Sequence, residues 1–200
     1  MTPRPQLENT QWIYLASASP RRHELLEQLN VDHRVLEVPP APGDDEPRLA
    51  NESPIVYVQR TAMDKARRAV AWSSALQPIL AADTTVALGD AILGKPTDAS
   101  DAARILALLS DKTHVVHTAV VLAHRGQFLR ALSTTSVTFA PLTAAMIRDY
   151  VASGEPFGKA GAYGIQGLAA RFISRIHGSY SGVMGLPLFE TAQLLAQLQH

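Results

Sequence analysis

Two hundred residues, 46% of them hydrophobic, suffice for one large domain with a proper core or for two small lobes sharing a cleft. Eighteen Lys and Arg balance eighteen Asp and Glu, which argues against a general nucleic-acid binder but leaves room for a small anionic ligand held by a few clustered cations. The absence of cysteine excludes a disulfide framework and a thiolate nucleophile or zinc ligand and fits a cytoplasmic protein; residues 1–11 are polar, without the apolar core of a signal peptide, and no apolar run approaches a membrane span.

In chain order, residues 12–16 read as a short buried strand. Residues 20–29 follow as a helix with apolar Leu25, Leu26 and Leu29, Ser19 as N-cap and Pro20 as first helical residue. Residues 34–38 resemble a second strand, and residues 39–51, rich in proline and acid, a loop. Ser53 and Pro54 open a helix through Tyr57, Ala62, Ala66 and Ala69. Residues 79–88 are a strand that turns at Gly89-Asp90 into residues 91–93. Asp98 or Ser100 starts an amphipathic helix carrying Ile105, Leu106 and Leu109. Residues 114–122 and 134–139 are β-rich runs joined through 123–132, expected as an antiparallel pair. A helix is expected at 143–151, a long ordered loop with five glycines at 154–167, a strand at 171–176 and a final helix at 186–198. No repeat or linker interrupts the chain, and the order predicts an α/β protein with a mixed sheet in one domain over residues 1–200.

Several positions carry candidate chemistry. At the corner between the first strand and helix stand Ser17, Ser19, Arg21 and Arg22. A helix N-terminus offers free N–H donors and partial positive charge, and two guanidinium groups make such a corner suitable for phosphate. A capped helix with solvent-facing arginines would use the same residues. Asp83 interrupts an apolar strand, where a carboxylate is costly unless paired, metal-bound or placed in a cleft. Pairing with a lysine is its structural alternative, but no cation is adjacent in the chain. Lys65 shares a helix with Arg60, Arg67 and Arg68, a face that is usually solvated, whereas Lys95 is held between Gly94 and Pro96. Asp45 and Glu46 lie in the acidic loop; Glu46 with Asp83 would suffice for Mg²⁺, which takes one or two carboxylates and completes its shell with water and phosphate.

Between Gly158 and Gly167, closely spaced glycines bracket Lys159 and Gln166, the latter able to read a base edge. Ser179 and Ser181 belong to a glycine-rich turn read as scaffold. No Walker A loop, no G-x-S-x-G elbow and no H-E-x-x-H spacing among the seven histidines occurs.

Taken together, LASASPRRHELL, Asp45-Glu46, Lys65 in YVQRTAMDKA, AADTTV, the lysine of GKP, GEPFGKAGAYGIQG and GSYSGVMGLPL resemble the Maf family of nucleotide pyrophosphatases, in the family's order over nearly the whole chain. The resemblance implies a Maf/ITPase-like mixed α/β fold of two lobes flanking a central cleft, and a homodimer. It implies cleavage of nucleoside triphosphates to the monophosphate and pyrophosphate with a divalent cation, Mg²⁺ or Mn²⁺. Asp83 then matches the proton acceptor; Ser17, Arg21, Arg22, Lys65, Lys95 and Glu46 match positions around the phosphates or the metal; Arg21, Thr84 and Gln166 match positions linked to base selection. Lys159 would add charge around the polyanion. Arg21-Arg22 with KAGAYGIQG resembles the branch acting on dTTP and UTP. Gly158 departs from the family in standing where an acid is usual. The alternatives are the sister branch acting on 7-methyl-GTP, a pyrophosphatase for ITP or XTP, and a non-catalytic nucleotide-binding regulator of cell division.

Overall fold

A computed structural model of the chain describes residues 12–39, 46–73 and 76–199. Its strands are β1 (Ile13–Leu15), β2 (His33–Val35), β3 (Ile79–Leu88), β4 (Ala91–Leu93), β5 (Thr113–His124), β6 (Gln127–Phe139) and β7 (Ile173–His177). Its helices are α1 (Pro20–Gln28), α2 (Pro54–Trp72), α3 (Ala99–Leu109), α4 (Ala144–Ala152), α5 (Tyr180–Met184) and α6 (Leu188–Ala196). The sheet runs β2-β1-β3-β5-β6-β7, with β4 pairing β3. β1 is parallel to β2 and β3, and every other pairing is antiparallel, so the sheet is mixed as expected. None of the described helices is long and apolar enough to cross a membrane.

β3 is central and buried along most of its length. Strand alternation sends its residues to two faces. Ala81 packs against Val58, Ala62 and Ala66 of α2, whose small side chains let the helix lie close to the sheet. Leu80 and Ala82 face Leu25 and Leu26 of α1 and Leu194 of α6. Further along, Val86 joins a second core built from α3, α4, Phe139, Tyr150 and Phe172. Separate cores therefore pack on both faces of β3 and along its later half.

The caps behave largely as the sequence implies. Ser53 accepts from Val56 N–H at 3.4 Å, and Asp98, rather than Ser100, caps α3 by accepting from Asp101 N–H at 2.8 Å. Ser19 has the extended backbone of an N-cap, but its hydroxyl makes no capping bond. Ser17 Oγ instead accepts from Ser19 N–H at 3.2 Å, so the turn is closed one step earlier.

Other expectations need correction. β5 and β6 do not join through a long connection over 123–132: they pair from Thr113↔Thr138 to His124↔Gln127. Arg125 and Gly126 both have positive φ, 48° and 78°, which suits a two-residue turn whose twist matches the strands. Arginine is unusual at the first such position, and the half-polar run from Gln127 hides the strand. The second strand ends at Val35, leaving residues 36–39 irregular. Residues 168–172 form a 3₁₀ turn, so the last strand begins at Ile173 rather than at 171. The turn before the final helix contains α5, capped by Ser179 Oγ accepting from Gly182 N–H at 3.0 Å, and Ser181 Oγ accepts from Leu188 N–H at 3.0 Å. Both serines thus serve the scaffold. The glycine-rich segment contains a 3₁₀ turn at Ala160–Ala162. Gly161 is required there twice over: its φ is +72°, and a Cβ would lie 2.9 Å from Val86 Cγ1.

Candidate active site

Where β1 ends, the chain leaves the sheet and turns into α1, and a cleft of about 820 Å³ opens beside this corner. Ser17, Arg21, Arg22, Lys65, Asp83, Thr84, Lys95, Lys159 and Gln166 all line it. The two arginines differ in role. Arg22 donates from Nε to the Gly185 carbonyl at 2.8 Å, from Nη1 to Ser17 Oγ at 3.0 Å and from Nη2 to Thr84 Oγ1 at 3.3 Å. It ties β1's end, β3 and the end of α5 together. Burial pushes its guanidinium below the ordinary value, opposed first by the Asp83 charge. The Arg21 Nε is buried and meets no partner among the described residues, so the donor awaits an acceptor.

Asp83, 9% exposed, projects from β3 toward α2. Thr61 Oγ1 donates to its Oδ2 at 2.8 Å, and the Lys65 ammonium pairs with Oδ1. Lys65 Nζ also lies 3.2 Å from Glu46 Oε2, and Arg68 Nη2 lies 3.5 Å from Glu46 Oε1. The missing local cation is thus supplied across space, and the lysine pairing considered as a structural alternative is present. Thr61, Lys65 and Arg68 fall at i, i+4 and i+7 on one face of α2. The sequence pattern puts Arg68 on a solvated face and gives no sign of Thr61, whereas both share the cleft-side face with Lys65, Arg68 lining the cleft and Thr61 holding Asp83. Thr84, next on β3, turns to the opposite face and bonds Thr118 Oγ1 at 3.0 Å.

Glu46 does not line the cleft itself but meets two cations that do. Its segment is strapped to α2: Tyr57 Oη donates to the Glu46 carbonyl at 3.0 Å and Arg60 Nη2 to the Pro47 carbonyl at 3.0 Å. Asp45 and the rest of residues 40–45 lie outside the described residues. Glu52 anchors the strap, accepting from Arg60 Nε at 2.6 Å and from Leu49 N–H at 3.0 Å. The Arg60 hydrogen bond above all holds the Glu52 carboxyl down at about 2, from an ordinary 4.5. A carboxylate depressed on folding stabilises the protein above its unfolded pKa, and that stability disappears as pH falls through the folded value. Urea unfolding at a series of pH values is expected to show Glu52→Gln less stable than the parent at neutral pH. The difference should shrink between pH 4.5 and about 2. A gap that stayed constant with pH would reject this account.

The far wall comes from the glycine-rich segment and the β4–α3 connection. Glu155 accepts from Tyr150 Oη at 2.8 Å, Leu168 N–H at 2.7 Å and Ala169 N–H at 3.3 Å. Burial opposes its ionisation, but these bonds outweigh it and hold the carboxyl below the usual range. Lys159 donates to the Glu155 carbonyl, while Gly161 N–H donates to the Gly94 carbonyl at 3.0 Å, beside Lys95. Burial first, and then the Arg21 charge, push the Lys159 ammonium down. Arg21 and Lys159 therefore crowd positive charge at one end of the cleft, which a polyanion would neutralise. The sequence reads residues 34–38 as a strand and gives no sign that residues 35–39 and Phe157, mostly apolar, wall the cleft.

One ammonium touches both the Glu46 and Asp83 carboxylates, so the two converge on a single cationic position. Among the described residues no group of three or more His, Asp or Glu side chains is arranged to hold a metal. An all-oxygen pair of this kind suits a hard divalent cation that shares its shell with phosphate.

The family profile described as Maf-like protein matches residues 12–198. The chain belongs to the Maf family. It is 58% identical over 187 residues to a protein of Bordetella avium named dTTP/UTP pyrophosphatase, covering 92% of this chain and 93% of that protein. A Bordetella parapertussis protein of the same name is 56% identical over 187 residues, 92% of this chain and 90% of the relative. One from Xanthomonas campestris pv. campestris, again so named, is 53% identical over 188 residues, 92% and 96% of the two chains. The Maf match runs from β1 through α6 and so includes both walls of the cleft.

Proposed function

We propose that this Maf protein is a nucleoside triphosphate pyrophosphatase that hydrolyses dTTP and UTP to the monophosphate and pyrophosphate. One observation carries the reading: Arg21, Lys65, Lys95 and Lys159 line one cleft with a single buried acid, Asp83, among them. The names of the relatives support the substrates. Gln166, with its donor and acceptor, and Thr84 would address the pyrimidine. The same reading makes the protein a cytoplasmic homodimer.

Phosphoryl chemistry needs positioning and charge neutralisation above all. Arg21, Lys95 and Lys159 would hold the triphosphate. Lys65 would exchange part of its carboxylate pairing for phosphate oxygen. Glu46 and Asp83 would hold a divalent cation, Mg²⁺ or Mn²⁺, which supplies positive charge to the phosphate oxygens. Asp83 would accept the proton of a water whose oxygen bonds the α-phosphorus as the bond to the bridging oxygen of pyrophosphate breaks.

Pyrophosphate release from dTTP, UTP, CTP, GTP, 7-methyl-GTP and ITP, with and without EDTA, tests the proposal. dTTP and UTP should lead, chelation should abolish turnover, and added Mg²⁺ or Mn²⁺ should restore it. A preference for ITP or 7-methyl-GTP, or tight binding with no pyrophosphate under any metal, would overturn it.

A further inference from the structure

Outside the cleft, on the solvent side of the junction between α1 and β2, His23 Nδ1 and His33 Nε2 face each other at 2.5 Å. The outer nitrogens decide what this contact can be. His33 Nδ1 lies 2.8 Å from the Val31 carbonyl oxygen, which only accepts, so this nitrogen carries a proton. His23 Nε2 lies 3.3 Å from Glu27 Oε1, which likewise favours a proton there. With both outer nitrogens protonated, neutral rings direct two lone pairs at one point. They repel unless a cation lies between them.

We propose that His23 and His33 form a binding site for a borderline divalent transition ion of the Zn²⁺, Ni²⁺ or Cu²⁺ class. Imidazole nitrogen suits these ions, and an outer N–H given to a carboxylate or backbone carbonyl is the arrangement that orients histidine ligands. Bonds of about 2.0–2.1 Å to each nitrogen require the pair to part to roughly 3 Å. The His23 side chain is 47% exposed and Glu27 62%, so the rings have room to separate and water has access to complete the shell. The site is chemically distinct from the all-oxygen pair Glu46 and Asp83. Its ligands stand ten residues apart on different elements, which is why no histidine spacing in the sequence reveals it. An occupied site would clip α1, which carries Arg21 and Arg22, to β2, whose following residues wall the cleft.

Calorimetric titration of the full chain with NiCl₂, in excess Mg²⁺ to occupy the oxygen ligands, tests the site. The parent and the exposed-histidine control His177→Gln should bind one equivalent that is absent from His23→Gln and His33→Gln. Ni²⁺ should raise the thermal midpoint of the first two proteins only. Electron paramagnetic resonance of the Cu²⁺-loaded parent should display coupling to two nitrogens, a readout that needs no variant. Binding that survives either substitution overturns the proposal. So does ¹⁵N resonance data showing a proton shared between the rings that Ni²⁺ does not displace. Loss of pyrophosphatase activity has no bearing on either result, since neither histidine lies in the cleft.

Discussion

Asp83→Asn is expected to bind dTTP and to turn it over at least about a hundredfold more slowly than the parent, the usual scale for removing a general base. The substitution keeps the shape of the side chain. Thr61 Oγ1, which donates to Asp83 Oδ2 at 2.8 Å, can donate to the amide oxygen instead. Lys65 retains Glu46, 3.2 Å away, so it is not left without a counter-charge. The fold and the phosphate-binding cations should therefore persist, while the proton acceptor and one of two metal-holding carboxylates disappear. Single-turnover pyrophosphate release, alongside equilibrium binding of dTTP, separates the two effects. Near-normal turnover would remove Asp83 from the role of base. A loss of binding equal to the loss of rate would instead mean that its main work is to hold the cation.

Much of the site was legible because charge in an apolar context is conspicuous. Asp83 stands out within Leu80-Ala81-Ala82-Asp83, and Lys95 between a glycine and a proline. The sheet's mixed character was equally visible, since short loops join some strands and helices join others. What sequence could not supply was pairing across space. Lys65 reads as one basic residue among several on a solvated helix, yet the packing of α2 against β3 makes it the partner of Asp83. Glu46 reads as part of an acidic loop, and the straps from Tyr57, Arg60 and Glu52, which the sequence does not show, account for its reaching Lys65. The β5–β6 hairpin was hidden for a different reason. Its turn uses Arg125-Gly126 rather than a familiar pair, and β6 begins on a half-buried, partly polar stretch with weak alternation.

Adjacent arginines with similar sequence signatures should give opposite experimental signatures. Arg22→Ala is expected to lower unfolding stability by about 2–3 kcal/mol, the scale for losing hydrogen bonds made by a charged donor. It would strip the Gly185 carbonyl, Ser17 Oγ and Thr84 Oγ1 of one donor each. Activity should fall with it, because the same bonds hold the β1–α1 corner against β3. Arg21→Ala removes a guanidinium whose buried Nε has no partner among the described residues, so little native bonding is lost. Its stability should stay within about 0.5 kcal/mol of the parent. Its affinity for triphosphate should fall by roughly ten- to a hundredfold, as expected for a lost charge-assisted contact. Relief of the positive charge that depresses Lys159 would offset part of that loss. Urea unfolding and dTTP binding on both variants settle the assignment: equal stabilities would mean that Arg22 is no clamp, and an unchanged affinity in Arg21→Ala would mean that the free donor faces no phosphate.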